Sequence, residues 1–383
     1  MSETSYSLTK EAARRIWLRA QRLDQPEPFG AGAAATAAAV AHLGYVQIDT
    51  INVIERCHHH ILWNRIPSYR RADLRQAQSV DKSVFEYWTH ALSYVPAHDL
   101  RFFLPAMRLH RREGHKWFKS VKPEDTRKVM RLIRQGALTI RDIDDDVLAE
   151  KTHLWASRKP SKRALQLAFY SGVVTISERN GMLKTYELIE RHFGWEKRPK
   201  SASAAETTAY LLDRALRAQG LVSLESICHL DAPSKPAVRR LIERRVRRNE
   251  LVPVALEGAA KLEHWAEPAA LEQAAGGLDG HVHILSPFDP LIIQRKRTSL
   301  IFDYEHRFEA YVPKEKRRFG YFALPVLVDG AIMAALDLKT DRANRKLMLQ
   351  KWSWVGARRD ARKDLKRRIE QELDRFAQFQ LSE

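Results

Sequence analysis

Leu132–Ile143 reads LIRQGALTIRDI, and Leu216–Ile227 reads LRAQGLVSLESI. Both fit Gly-x-x-[Thr/Ser]-x-x-[Asp/Ser]-Ile, at Gly136–Thr139–Ile143 and Gly220–Ser223–Ile227, with an offset of 84 residues. Solenoid units repeat every ~20–50 residues, so this repetition is on the scale of whole domains. In each copy a helix is expected to end near the glycine, and the hydroxyl residue suits the cap of a short second helix. A basic third helix follows in both, Ser161–Ser171 (SKRALQLAFYS) and Lys235–Arg248 (KPAVRRLIERRVRR). Next come pairs of apolar runs joined by glycine turns. These are Val173–Ser177 with Met182–Tyr186 across Asn180-Gly181, and Leu251–Leu256 with Lys261–Trp265 across Gly258. Three helices and a two-stranded wing make the plan of a winged helix.

Working outward, the N-terminus fits the same plan less cleanly. A helix is expected over Leu8–Leu23, with Ala12, Ile16, Ala20 and Leu23 on one face, then an alanine-rich helix to Leu43. An extended segment, Tyr45–Ile54, stands where the wing or strand belongs. Linkers are expected at Lys197–Ser203 and Gly276–Gly280. After Gly280 come short strand-like runs: His281–Leu285, Leu291–Ile293, Phe308–Val312, Tyr321–Leu327, Ala331–Lys339 and Leu347–Trp354. The expected fold is therefore α+β. Three tandem winged helices (1–120, 121–197 and 204–266) precede a β-rich, barrel-like domain (280–357) and a C-terminal helix (358–383). An all-α repeat with no DNA role competes for the same pattern.

The 383 residues are 44% hydrophobic and 29% charged, which suits a folded chain of two or three domains. Sixty-five Lys and Arg against 47 Asp and Glu leave a net charge of +18. That excess points to a polyanion, nucleic acid or an anionic membrane surface. The longest low-charge stretch, Gly30–Val40, is too short to span a bilayer. Arg14, Arg15 and Arg19 are interspersed with Glu3, Glu11 and Asp24, as in an ordinary amphipathic helix rather than a targeting segment. Two cysteines, Cys57 and Cys228, make no disulfide framework and no Cys-x-x-Cys zinc site. A cytoplasmic protein is expected, at the nucleoid through DNA, with no membrane partner.

Six of the ten residues Arg239–Arg248 are arginine, and Lys162 and Arg163 lead the equivalent helix. Arg239, Arg240, Lys162 and Arg163 at helical spacing suit phosphate contacts, though a solvated face reads the same way. A second basic cluster, Lys314, Lys316, Arg317 and Arg318, precedes Phe319 and Tyr321. A basic hairpin tipped with aromatics suits a nucleic-acid groove, and a solubilising turn fits equally.

Gln47 and Asp49 are expected on one face of a strand, about 6.6 Å apart, with Val46 and Ile48 on the other. An amide beside a carboxylate orients a water and takes its proton, although this pair also occurs on strands with no chemistry. His58, His59 and His60, and His281 with His283, have strand-spaced pairs but no third ligand at a diagnostic spacing, so no metal is expected. No lysine is marked by an apolar surround for Schiff-base chemistry, and no glycine-rich phosphate loop implies a nucleotide cofactor.

Several stretches together resemble the AlkZ/YcaQ-like DNA glycosylases. They are Tyr45–Arg56 with its Gln-Ile-Asp-Thr-Ile-Asn signature, Phe85–His90 followed by Pro96, Leu285–Pro290, Arg295–Arg297, and Lys316–Phe322 before Leu324-Pro325. The resemblance covers essentially the whole chain. It implies a monofunctional glycosylase that removes N7-alkylated guanine from duplex DNA and unhooks interstrand crosslinks. Gln47 and Asp49 match the Gln-x-Asp branch rather than the Gln-x-Gln self-resistance branch. Arg56, closing the signature, joins the DNA-binding set. Cys57–His60, Glu86 and His90 receive no role. A non-enzymatic winged-helix DNA-binding regulator or repair-associated binding module remains the alternative, since it too explains the charge and the repeats.

Overall fold

A computed structural model of the chain describes residues 6–113, 118–145, 148, 150–151, 157–272, 278, 280–356 and 361–382. The fold is mixed α+β and divides into two compact units, Met1–Tyr69 with Thr208–Glu383, and Arg70–Thr207. This division cuts through the expected 1–120 domain. The strand Tyr6–Leu8 pairs in parallel with Val252–Leu256, which ties the N-terminus to the second repeat copy. The helix Lys10–Ala20 starts later than the expected Leu8, where Thr9 accepts the Ala12 N–H at 3.2 Å. Its Ile16, Trp17 and Leu18 share one buried core with Leu285, Leu291, Ile301 and Leu327.

In Arg70–Thr207, the helix Arg71–Ser79 and the hairpin Val84–Trp88/Leu92–Pro96 precede the helix Leu100–Glu113. The first repeat copy follows: helix Pro123–Gln135, strand Leu138–Thr139, helix Pro160–Tyr170, then hairpin Val174–Asn180/Leu183–Leu188. The short strand adds to the hairpin beside Leu183–Leu188. The second copy repeats that order, with helix Ala204–Gln219, strand Leu221–Val222, helix Leu224–Ile227, helix Lys235–Arg247, then Val252–Leu256 and His264–Ala266. Its short strand likewise pairs with the hairpin's second strand. The repeated glycine works as expected in the second copy. Gly220 has φ +64°, and a Cβ there would meet Ile16 Cγ2 at 2.5 Å.

The C-terminal sheet is open, where a barrel or a curled sheet is expected. Val282–Ile284, Ala323–Val328, Ala331–Asp341 and Lys346–Trp354 form an antiparallel meander, and among the described residues its first and last strands do not pair. The helix Arg362–Leu381 lies against both outer strands and buries Leu365, Ile369 and Phe376, so an apolar stripe covers what closure would have covered. Leu291–Ile293 and Phe308–Val312 are not strands. Asp289 accepts the Leu291 N–H through its carboxylate and the Ile292 and Ile293 N–H groups through its carbonyl, curling that run into a turn. The expected linker Lys197–Ser203 has no helix or strand; most of Gly276–Gly280 lies outside the described residues.

Candidate active site

The alanine-rich helix Gly32–Leu43 ends on Gly44, which is left-handed at φ +77° and packs so closely that a Cβ would strike the Arg214 side chain. From there Val46–Gln47 is the only strand in the expected Tyr45–Ile54 run, and Ile48–Arg56 has no ladder. The Asp49 carboxylate explains the break. Its Oδ1 accepts the Ile51 N–H at 2.8 Å, an Asx-turn that takes the backbone out of strand geometry. Gln47 and Asp49 therefore do not share a strand face. Gln47 is buried at 6% exposure, and Asp49 is half-buried on the loop beyond.

The helix Cys57–Trp63 closes this loop. The Cys57 thiol donates to the Gln47 carbonyl at 3.0 Å. Burial pushes that thiol well above its ordinary range, and the nearby Asp49 carboxylate pushes the same way. It is an inert tether. The three histidines also pack: His60 donates to the Ile284 carbonyl at 2.7 Å, and His59 Nδ1 lies 2.6 Å from the Tyr69 hydroxyl. Burial holds His60 and His283 neutral, down to about 4. Among the described residues no group of His, Cys, Asp and Glu is arranged to hold a metal ion. Behind the helix, Trp63 stacks on Phe379 at 5.6 Å, and Arg65 pairs with Asp289 at 2.8 and 3.0 Å, both fully buried.

In front of the loop lies a cleft of about 660 Å³ lined by Asn52, Val53, Lys314, Arg317, Tyr321, Asp337, Lys339, Arg342 and Lys351. It is strongly basic. The turn that supplies Lys314 and Arg317 is held by two carboxylates. Glu309 accepts the N–H groups of Arg318, Phe319 and Gly320 at 2.7, 2.7 and 3.2 Å, and Asp337 accepts those of Tyr321 and Phe322 at 2.9 Å. With the backbone so anchored, Lys314, Lys316, Arg318 and Tyr321 are exposed. Arg317 is half-buried over the Tyr321 ring at 4.9 Å, and Phe319 is buried rather than at the tip.

The other expected contacts are scattered. Lys162 is exposed, but Arg163 beside it is 6% exposed; it donates to the Ser157 carbonyl at 2.7 Å, to Ser120 Oγ at 3.1 Å and to the Glu150 carbonyl. A guanidinium so engaged is unavailable to phosphate. Arg240 is exposed, whereas Arg239 is paired with Glu263 at 2.8 Å. Arg56 is half-buried, and its Nε finds no acceptor among the described residues. Sequence reasoning missed Lys339, Arg342 and Lys351, which reach the cleft from strands and a turn that carry no motif. In the other unit, Arg70–Thr207, burial pushes the half-buried Lys184 ammonium down to about 8, 5.6 Å over the Phe169 ring, even though Glu86 favours its charge. Glu86 itself is buried and doubly bonded to Arg179 at 2.5 and 2.6 Å, a structural ion pair.

Two comparisons bear on this arrangement. The sequence model of the family described as DNA glycosylase AlkZ-like matches residues 40–379. Among solved structures the chain is similar to the DNA glycosylase AlkZ of Streptomyces sahachiroi. The TM-score is 0.63 at 17% identity, over 98% of this chain and 97% of that one. At that identity the second likeness is one of fold.

Proposed function

The chain belongs to the AlkZ-like DNA glycosylase family, and from that premise we propose that it hydrolyses the N-glycosidic bond of N7-alkylguanine and unhooks interstrand crosslinks. One observation carries this reading. Asp49 is a half-buried carboxylate on a loop of which Asn52 and Val53, three and four residues on, line a cleft rich in lysine and arginine. A polyanion attracted to that cleft is brought to a loop that bears a fixed carboxylate.

The chemistry asks for little more. An N7-alkylguanine is cationic, so breaking its glycosidic bond releases a neutral base without a general acid. What remains is to stabilise an oxocarbenium-like sugar and to deliver water to C1′. Asp49 supplies the charge and accepts the proton; a carboxylate has about four lone-pair sites, so the Asx bond leaves it acceptor capacity. Gln47 is given the task of orienting the water on its place in the Gln-Ile-Asp signature, not on a shared strand face. A base tied to the opposite strand cannot be turned out of the stack by the usual ~180°, so crosslink unhooking favours an open cleft over a closed base pocket.

We read both repeat copies as winged helices, with Lys162, Arg240, Arg56 and the turn residues Lys314, Lys316, Arg317 and Arg318 as phosphate contacts. Arg239 belongs to this set only if DNA displaces Glu263, and Arg163 is left out. No described helix is long and apolar enough to cross a membrane. Membership of a glycosylase family sets the purely regulatory alternative aside. The test is incubation with a duplex bearing one 7-methylguanine, then heating in alkali. Strand cleavage at the lesion is expected; intact strands would overturn the reading.

A further inference from the structure

The geometry points to Arg342 as a positioning residue for the loop that carries Asp49. This inference rests on the glycosylase reading and deepens it. Ile48–Arg56 has no strand ladder to hold it, and the Asp49–Ile51 turn is only local. Its fixed points come from the far end of the chain. Arg342 Nη2 donates to Asn52 Oδ1 at 2.8 Å and to the Ile54 carbonyl at 2.5 Å. Between these two contacts the Thr340 N–H donates to the Val53 carbonyl at 2.9 Å. Thr340 Oγ1 donates to Gln380 Oε1 at 2.9 Å, and Gln380 Nε2 reaches Glu55 Oε2 at 3.3 Å, all three residues buried.

Four consecutive loop residues, Asn52 to Glu55, are thus pinned to the C-terminal sheet and helix. Arg342 grips two of them with one charged donor, starting three residues from Asp49. An ångström of drift in a reacting carboxylate costs about 10²-fold in rate, so a device that removes this drift acts on turnover, not on capture of DNA. Arg342 also lines the basic cleft. A phosphate contact there would act on affinity instead, and that contrast separates the two roles.

The experiment uses the full chain with Arg342→Ala, Arg342→Lys, Asn52→Ala and the Arg342→Ala/Asn52→Ala pair. Single-turnover excision of 7-methylguanine is measured at saturating enzyme, alongside DNA affinity across a salt series. Arg342→Ala is expected to slow the saturated rate by about 10²-fold, a loss that saturating enzyme does not recover. The pair should be no slower than the slower single variant, because the Asn52 contact is already lost in Arg342→Ala. Lysine keeps the charge but is shorter and lacks the guanidinium's fixed plane, so Arg342→Lys should bind normally and recover the rate only in part. A salt slope smaller by about one with an unchanged saturated rate would mark a phosphate contact and overturn the proposal. Hydrogen exchange of peptides covering residues 49–56 supplies an arm independent of turnover, and faster exchange is expected in Arg342→Ala. If the unaltered enzyme excises nothing, the glycosylase reading falls. Faster exchange then still supports the anchor, and unchanged exchange overturns it.

Discussion

Asp49→Asn retains an oxygen that accepts the Ile51 N–H, so the turn that shapes the loop survives while the negative charge and the proton acceptor are lost. Loss of a general base costs about 10²–10⁴-fold, and lost charge stabilisation at the sugar adds to it. Excision should fall at least that far with DNA affinity preserved, measured as single-turnover rate against binding; full activity would remove Asp49 from the mechanism. Gln47→Ala is expected to slow excision as well. Because water is the proposed nucleophile, borohydride should trap no protein–DNA adduct. A trapped adduct would replace hydrolysis by Schiff-base chemistry.

Among the elements, the turn at 314–322 and the helix Cys57–Trp63 carry different burdens. The turn is held from beneath by Glu309 and Asp337 through backbone N–H groups, so its fold depends little on the exposed Lys316 and Arg318 or on the half-buried Arg317. Changing Lys316, Arg317 and Arg318 to Ala should weaken capture of damaged duplex while thermal unfolding shifts little. Equal excision at limiting enzyme would show the cluster to be a solubilising turn. The helix is held from behind by Asp289, from the Leu285–Pro290 block. Asp289→Ala strands the buried Arg65 guanidinium, and breaking a buried pair from one side costs about 3–5 kcal/mol. A fall of that size in urea-unfolding stability is expected.

For the whole molecule, a +18 chain should bind DNA with little sequence preference. Neutralising about five phosphates gives a slope of about −4 to −5 in log affinity against log salt. A flat response would remove the basic-cleft picture. Acid should act through Glu309. Burial opposes its ionisation, but the N–H groups of Arg318, Phe319 and Gly320 outweigh burial and hold its carboxyl below the ordinary range. A lowered folded-state value means stability that is full above the unfolded value of about 4.3 and is lost as pH falls through the folded one. The stability gap between the native chain and Glu309→Gln should therefore be widest near neutrality and close on acidification, as urea titrations at a series of pH values would record.

Local chemistry made much of this legible in the sequence. Apolar spacing, the glycine at Gly220 and the hydroxyl caps mark helices and turns, because those signals act over a few residues. The stretch Tyr45–Arg56 likewise carries its resemblance in the sequence alone, and the roles proposed for Gln47 and Asp49 rest on it. The side chain of Asp49 misled the strand reading: an Asx bond two residues long competes with a ladder, and periodicity does not register it. Only the tertiary structure decided the rest. Arg163 looks like any arginine on a basic helix until Ser157, Ser120 and Glu150 close around it. Arg342 follows a strand end with no motif, yet it grips Asn52 from 290 positions away. Spacing along a chain encodes neighbours on one helix or strand; which distant segment meets them is settled by packing the whole core, and the cleft exists only after that packing.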